Sequence, residues 1–212
     1  MSKIRKSCLI TYMGIAFGVL SLWYAFNKCA FSSENVIKYT LICLMLSGIC
    51  DMFDGKFARM CKRDKAEKEF GIQLDSLADT FCFIAVPVVI MLAIGMNNWY
   101  HLIVYIYFVI GGVTRLGWFN VNADEDKPVA YFTGIPVTST AIIYPLVGLL
   151  HTRIPDNTFE VVLIIITLLV AFLFNFNIKI PKFKDNWYYI LMPILALLLA
   201  IILIIIWLNI II

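Results

Sequence analysis

Charged side chains are scarce in this sequence, at 15% of its 212 residues, while hydrophobic residues account for 62%. A soluble domain has about a quarter of its residues charged, so this composition excludes an ordinary soluble protein and indicates one whose solvent is lipid. Histidine is also rare, at two residues, and the six cysteines form no CxxC pair or Cys/His spacing of the kind that binds zinc. We interpret the cysteines as small hydrophobic residues that pack between helices.

The hydrophobic residues are gathered in seven runs, most of which approach the ~20 residues that a helix needs to cross a bilayer. The runs lie at 8–26, 36–50, 80–96, 99–121, 132–150, 158–176 and 187–212. Backbone polar groups in lipid must be satisfied within the segment, so the runs predict helices and not an open sheet. We therefore expect an all-α integral membrane helical bundle of six to eight transmembrane helices, with seven favoured, in a single domain over residues 1–212.

Lysine and arginine are distributed unevenly between the segments that join these runs. If the N-terminus is cytoplasmic and the runs cross alternately, fourteen of the 17 basic residues are cytoplasmic, and the exceptions are Lys28, Lys38 and Arg153. Basic residues are retained on the cytoplasmic side during insertion, so the pattern predicts a multi-pass protein of the cell membrane with a cytoplasmic N-terminus. The net charge of +3 then reflects topology and contact with the lipid bilayer. No nucleic-acid-binding motif is present, and no nucleic-acid partner is expected.

Four aspartates beside the apolar runs are candidate functional residues. Asp51 and Asp54 are three residues apart at the end of the second run, and Asp75 and Asp79 are four apart at the start of the third, so each pair shares a helical face. In a helical hairpin, all four carboxylates can converge at the cytoplasmic boundary. Carboxylates in a membrane segment are costly and usually paired, metal-bound or functional. Hard divalent cations prefer such oxygen ligands, so the spacing indicates a site for Mg or Mn.

The segment between the two pairs, which we expect to be a polar cytoplasmic connection at about 60–71, carries three further acidic residues. Asp64, Glu67 and Glu69 alternate with lysine and arginine. We interpret them as part of a solvated stretch and not as metal ligands.

The order of residues across 51–79 resembles the signature of the CDP-alcohol phosphatidyltransferases, D-x-x-D-G-x-x-A-R followed by G-x-x-x-D-x-x-x-D. The matching positions are Asp51, Asp54, Gly55, Ala58, Arg59, Gly71, Asp75 and Asp79. The resemblance implies that a phosphatidyl group passes from a CDP-linked lipid to a second alcohol, that CMP is released, and that two divalent cations assist. It implies that the four aspartates are the metal ligands and that Asp79 is also the base that deprotonates the acceptor hydroxyl.

The same resemblance implies that Gly55, Ala58, Arg59 and Gly71 bind the CDP-lipid. Their residue types suit this role, because small side chains let a phosphate approach the backbone and arginine presents a rigid, always-charged fork. Eleven residues separate Arg59 from Gly71, where the family usually has eight, and Lys68 stands where it usually has Ser or Thr. Lys68 either replaces that hydroxyl as a donor to phosphate or is solvated. Gly14 stands where the family has Asn.

Within the family, the stretch FGIQLDSLAD at 70–79 resembles the phosphatidylserine synthases, as do Thr11 and Gly18 in the first run and the segments at 115–120 and 131–136. That resemblance implies CDP-diacylglycerol, or an ether-lipid analogue, and L-serine as substrates, and a homodimer as the assembly. Serine carries a carboxylate, for which Arg115 and Asn120 are the candidate ligands. The alternative for Arg115 is that it extends to the cytoplasmic interface as an anchor.

Three alternatives remain open at this stage. The same fold with glycerol 3-phosphate or inositol phosphate as acceptor would need clustered basic residues, and only Arg115 and Lys127 are present in the neighbouring cytoplasmic segments. A membrane prenyltransferase would need a second Asp-rich motif, and only Asp124 and Asp126 follow Asp79. A non-catalytic membrane protein would have its ionisable residues spread through several spans, whereas here they concentrate on one helical pair.

Overall fold

The computed structural model describes residues 6–27, 33–122, 131–132, 134–151, 153–176, 180–181 and 188–209. Within these residues the chain forms eight α-helices and one short antiparallel pairing. The helices are α1 (Leu9–Phe26), α2 (Ser33–Met60), α3 (Lys65–Asp79), α4 (Val86–Ala93), α5 (Trp99–Asn122), α6 (Thr140–Gly148), α7 (Asp156–Asn175) and α8 (Tyr188–Asn209). The pairing joins β1 (Tyr131–Phe132) to β2 (Ile180–Pro181).

Five helical segments are long and apolar enough to cross a membrane. They are Lys6–Phe26, Asn35–Met60, Lys65–Ala93, Trp99–Val121 and Asp156–Asn175, and shorter apolar helices follow at Val137–Gly148 and Leu197–Leu208. Each overlaps one of the predicted runs, so the prediction of an all-α membrane bundle is confirmed. The number of seven crossings stays a prediction, since the segment Val137–Gly148 falls below the length that a bilayer requires, whereas α8 reaches it with 22 residues.

One side of α5 shows how the bundle divides its surface between lipid and core. Ile103, Ile106 and Ile110 are at least half exposed, whereas Tyr105 and Phe108 on the opposite side are buried. Exposed aliphatic side chains at helical spacing suit contact with acyl chains, because lipid is as apolar as the side chains themselves.

The first two helices approach each other closely through small residues. The Ser47 hydroxyl on α2 donates a hydrogen bond of 2.9 Å to the Gly14 carbonyl on α1. A Cβ at Gly14 would lie 3.4 Å from the Cβ of Cys50, which is van der Waals contact distance, so the two helices pack closely at this point. This contact places the beginning of α1 beside the last turns of α2, where Asp51 and Asp54 lie.

The connection between α2 and α3 is shorter than the sequence predicted. The expected polar connection over 60–71 is wrong in length, because α2 ends at Met60 and α3 begins at Lys65. A capping box explains the early start: the Glu67 N–H donates to Asp64 Oδ1 at 2.7 Å, and the Asp64 N–H donates to Glu67 Oε2 at 3.4 Å. The prediction of a solvated stretch agrees with the exposure of Asp64 and Glu69.

The third span changes its helical type directly after Asp79. Residues Thr80–Ala85 form a π-helical turn that joins α3 to α4. Such a turn holds an extra residue and is often found at functional sites. The Thr140 hydroxyl at the start of α6 lies 3.0 Å from the Phe83 carbonyl and 2.9 Å from the Val137 carbonyl. A buried side chain thus supports the turn that follows the fourth aspartate.

Candidate active site

Three of the predicted aspartates converge between α2 and α3. One carboxylate oxygen each from Asp51, Asp54 and Asp75 lie within 4.8 Å of one another. Asp54 is buried, with 8% of its surface exposed, and the other two are partly buried. The hairpin of the two helices therefore brings together carboxylates that are more than twenty residues apart in sequence.

Asp79 lies beside this cluster and not within it. It is one turn further along α3 than Asp75, and its carboxyl group interacts with those of Asp51 and Asp75. Its Oδ1 atom is buried and has no hydrogen-bond partner among the residues that the structure describes. A buried carboxylate oxygen without a partner is costly, so this atom has capacity for a further ligand or proton.

Electrostatic repulsion requires that the cluster be neutralised. Two unit charges about 4.8 Å apart repel by roughly 3–4 kcal/mol at an effective dielectric constant of about 20. Three such pairs amount to about 10 kcal/mol, which is comparable to the total stability of a typical domain. The cluster therefore needs cations or protons to be stable.

The donor set fits divalent cations. Magnesium binds oxygen at about 2.0–2.1 Å, so opposite ligands of one ion lie about 4.2 Å apart. The 4.8 Å spread of the three oxygens is within a small side-chain adjustment of that value. Asp79 Oδ1, which has no hydrogen-bond partner in the described residues, offers a further oxygen beside these three.

A threonine from the first helix supports the cluster. The Thr11 hydroxyl donates a hydrogen bond of 3.0 Å to Asp54 Oδ2. Both residues line a small cavity of about 10 Å³, together with Gly14, Ser47 and Asp79 among others. The sequence indicated Thr11 only through its resemblance to the family, because no neighbouring residue in the chain predicts a contact between Thr11 and α2.

A larger cavity of about 190 Å³ opens next to the cluster. Its lining residues come from the 3-10 turn Lys6–Cys8, the beginning of α1, the end of α2, the connection and α3. They are Ser7, Cys8, Thr11, Asp54, Gly55, Ala58, Arg59, Arg63, Gly71, Ile72 and Asp75. The cavity thus brings together all of the signature residues predicted to bind the CDP-lipid. Lys68 is exposed and does not line this cavity. Arg63, which does, was not singled out from the sequence.

Arg115 on α5 also lies near the aspartates. Its guanidinium is close enough to Asp51 and Asp79 for a charge–charge interaction, and the side chain is partly buried. The Nε atom has no hydrogen-bond partner in the described part of the chain. The side chain also lies over the Phe119 ring, with 5.6 Å from Cζ to the ring centroid.

Asn120 joins α5 to α3 at the residue next to Asp75. Its Nδ2 donates to Ser76 Oγ at 2.8 Å, and the Ser76 hydroxyl is 3.1 Å from Asn120 Oδ1. Ser76 follows Asp75 directly, so this contact fixes α5 against the helix that carries two of the aspartates. The two residues are 44 positions apart, so no local sequence pattern predicts that they are in contact.

Thr138 is a further residue that the sequence did not single out. It lies in the short 3-10 turn Val137–Ser139, and its side chain is near enough to Asp51 to influence that carboxyl group. The described residues do not include Asp124, Asp126 and Lys127.

Comparison with known proteins identifies the family. A model of the CDP-alcohol phosphatidyltransferase family matches residues 7–212. The chain is 31% identical over 183 residues to a Helicobacter pylori protein named CDP-diacylglycerol–serine O-phosphatidyltransferase, covering 83% of this chain and 71% of that protein. A Saccharomyces cerevisiae protein of the same name is 33% identical over 129 residues, covering 55% of this chain and 46% of that protein.

A third relative differs in name. The archaetidylserine synthase of Methanothermobacter thermautotrophicus is 27% identical over 142 residues, covering 66% of this chain and 56% of that protein. The family match extends over nearly the whole chain and includes the hairpin that carries the acidic cluster. The chain therefore belongs to the CDP-alcohol phosphatidyltransferase family and is a membrane enzyme of that kind.

Proposed function

We propose that this enzyme transfers the phosphatidyl group of CDP-diacylglycerol, or of an ether-lipid analogue, to the hydroxyl of L-serine and releases CMP. The main support for the transfer reaction is the acidic cluster, which lies beside a cavity lined by the signature residues. Two of the relatives have serine in their names as the acceptor, and the third is named for the product archaetidylserine. These names support serine as the acceptor here. We place the site at the cytoplasmic face of the cell membrane and the enzyme in a homodimer.

Asp51, Asp54, Asp75 and Asp79 would hold two divalent cations, Mg or Mn. When bound, such ions neutralise the diphosphate of the substrate and stabilise the charge on the leaving nucleotide. The convergence of three of the carboxylates and the partnerless oxygen of the fourth support this assignment.

The 190 Å³ cavity receives the diphosphate part of the CDP-lipid in this proposal. It is smaller than the ~300 Å³ of a typical ligand pocket, so it suits the diphosphate better than the complete nucleotide. Gly55 and Gly71 present no side chain to it, and Arg59 supplies a guanidinium that can bind phosphate with two parallel hydrogen bonds.

Asp79 acts as the base. It lies beside the other carboxylates and not among them, which leaves one of its oxygens for a proton. The serine hydroxyl oxygen forms a bond to the phosphatidyl phosphorus as the bond from phosphorus to the CMP oxygen breaks, and Asp79 takes the hydroxyl proton. Arg115 and Asn120 bind and orient the serine, with the guanidinium of Arg115 on its carboxylate.

The position of Arg115 supports this role over that of an interfacial anchor. Its guanidinium is near enough to Asp51 and Asp79 for a charge–charge interaction, and an acceptor must lie in this region for its hydroxyl to reach Asp79. Its Nε atom has hydrogen-bonding capacity that the described protein does not use.

An acceptor panel tests the proposal. Purified enzyme in detergent, with CDP-diacylglycerol and Mg or Mn, is given serine, ethanolamine, glycerol 3-phosphate or inositol phosphate, and CMP release is measured together with the mass of the lipid product. We expect release with serine and a product of the mass of phosphatidylserine. Faster release with glycerol 3-phosphate or inositol phosphate would retain the family chemistry and refute serine as the acceptor.

A further inference from the structure

Arg63 occupies a defined position in the short connection between α2 and α3. The connection comprises only residues 61–64, because the capping box of Asp64 and Glu67 begins α3 directly after Arg63. A capped helix start fixes the backbone at its N-cap, so the residue before it is also held in place. Arg63 is partly buried, although its neighbour Lys62 is exposed.

The side chain of Arg63 reaches into the cavity that carries the signature residues. It is one of the lining residues, and its Nη1 atom lies 3.5 Å from where a Cβ on Gly71 would be. On the other helix of the hairpin, Nη1 of Arg59 lies 3.9 Å from where a Cβ on Gly55 would be. Two guanidinium groups thus lie next to two glycines in the lining of one cavity.

The guanidinium of Arg63 has no hydrogen bond or ion pair within the described part of the chain. Nearby carboxylates are already engaged, since Asp64 and Glu67 bond to each other's backbone and Glu69 lies 4.0 Å from Lys65. An arginine that is partly buried and makes no such bonds retains five donors for a ligand. Planar guanidinium groups favour phosphate, which they can bind with two parallel hydrogen bonds.

We propose that Arg63 is a second arginine of the substrate site, which binds the diphosphate of the CDP-lipid together with Arg59. The inference rests on the function proposed above and adds to it a residue outside the signature. The lining also carries the carboxylates of Asp54 and Asp75, which repel a simple anion. In a diphosphate chelated by divalent cations, the phosphates complement the arginines and the cations complement the aspartates. The phosphate of an anionic bilayer lipid complements only the arginines.

Arg63→Gln tests the assignment, with Lys62→Gln as the matched control because it removes the same charge from the adjacent, exposed position. A hydrogen bond to a charged group corresponds to roughly 10- to 100-fold in affinity. We expect Arg63→Gln to raise the KM for the CDP-lipid, and to weaken binding of soluble CDP with Mn in detergent, by about that factor. We expect the KM of Arg63→Gln for serine to stay within about twofold of the parent value. Lys62→Gln should resemble the parent in both measurements. Arg63→Lys keeps the charge but cannot form two parallel hydrogen bonds, so its KM and its CDP affinity should lie between those of the parent and Arg63→Gln.

The parent enzyme separates the failure of this inference from failure of the proposed function. If the parent transfers phosphatidyl groups to serine and Arg63→Gln binds CDP as tightly as the parent, the assignment of Arg63 is wrong and the function stands. Equal loss in Arg63→Gln and Lys62→Gln would show a general charge effect and also overturn it. Unchanged CDP binding in detergent with loss of activity only in vesicles of anionic lipid would assign Arg63 to a bilayer phosphate instead.

Discussion

The hydrogen bond from Thr11 to Asp54 gives a sharp test of how the first helix contributes to the site. Thr11→Val removes the hydroxyl and keeps the shape of the side chain. The hydroxyl donates to a buried carboxylate at 3.0 Å, and a bond of this charged kind contributes about 1.5–3 kcal/mol. Residues that support a metal ligand typically change metal affinity by about 10- to 100-fold, which is the same range.

The assay is a metal titration of serine transfer after removal of all divalent ions. We expect Thr11→Val to raise the Mn concentration that gives half-maximal activity by about 10- to 100-fold, while the rate at saturating Mn falls only a few fold. Thr11→Ser keeps the hydroxyl and is the matched control, with a titration close to that of the parent. An unchanged titration in Thr11→Val, or equal defects in both variants, would refute the reasoning.

The remaining predictions concern the aspartates and the acceptor. Asp51→Asn, Asp54→Asn and Asp75→Asn each lower transfer by several orders of magnitude at saturating Mg, because the cations stabilise most of the developing charge; full activity of any of them in excess chelator would contradict the metal site. Arg115→Ala raises the KM for serine far more than that for the CDP-lipid, and the parent uses ethanolamine poorly; equal use of serine and ethanolamine would remove the reason for a carboxylate-binding arginine. Asp79→Asn lowers the single-turnover rate by about 100- to 10,000-fold, as expected for a lost base. It binds the CDP-lipid better than Asp51→Asn does. Proportional losses of binding and turnover in both variants would make Asp79 a metal ligand only and not the base.

The convergence of the aspartates could be predicted from the sequence because it depends on local periodicity. Asp51 and Asp54 share a face of one helix, and Asp75 shares a face with Asp79 on the next, so a hairpin is enough to bring them together. The structure adds that Asp79 lies beside the three-residue cluster, which helix spacing alone does not determine.

The contacts that surround the cluster could not be predicted, because they join distant parts of the chain. Thr11 is 43 residues from Asp54, and Ser76 is 44 residues from Asn120. Such pairs depend on how helices pack, and a single sequence carries no local signal for them. The π-helical turn Thr80–Ala85 holds no proline or glycine itself, and Pro87, which follows it in α4, predicts a kink in this span but not the type of turn.

One local signal was present and was misinterpreted. The spacing of Asp64 and Glu67 is that of a capping box, whereas the charge alternation around them predicts only a solvated stretch within a connection at about 60–71. The capping box shortens the connection and places Arg63 beside the cavity, so this error also concealed a lining residue of the site.

Incorporation of labelled L-serine into lipid by the purified enzyme tests the central claim most directly. The reaction contains CDP-diacylglycerol and is run with chelator, with chelator followed by excess Mg or Mn, and with Asp75→Asn in place of the parent. We predict labelled phosphatidylserine from the parent only when the metal is restored, and a loss of several orders of magnitude in the variant. Serine incorporation that persists in chelator, or none with Mg or Mn present while another acceptor is used, would contradict the account.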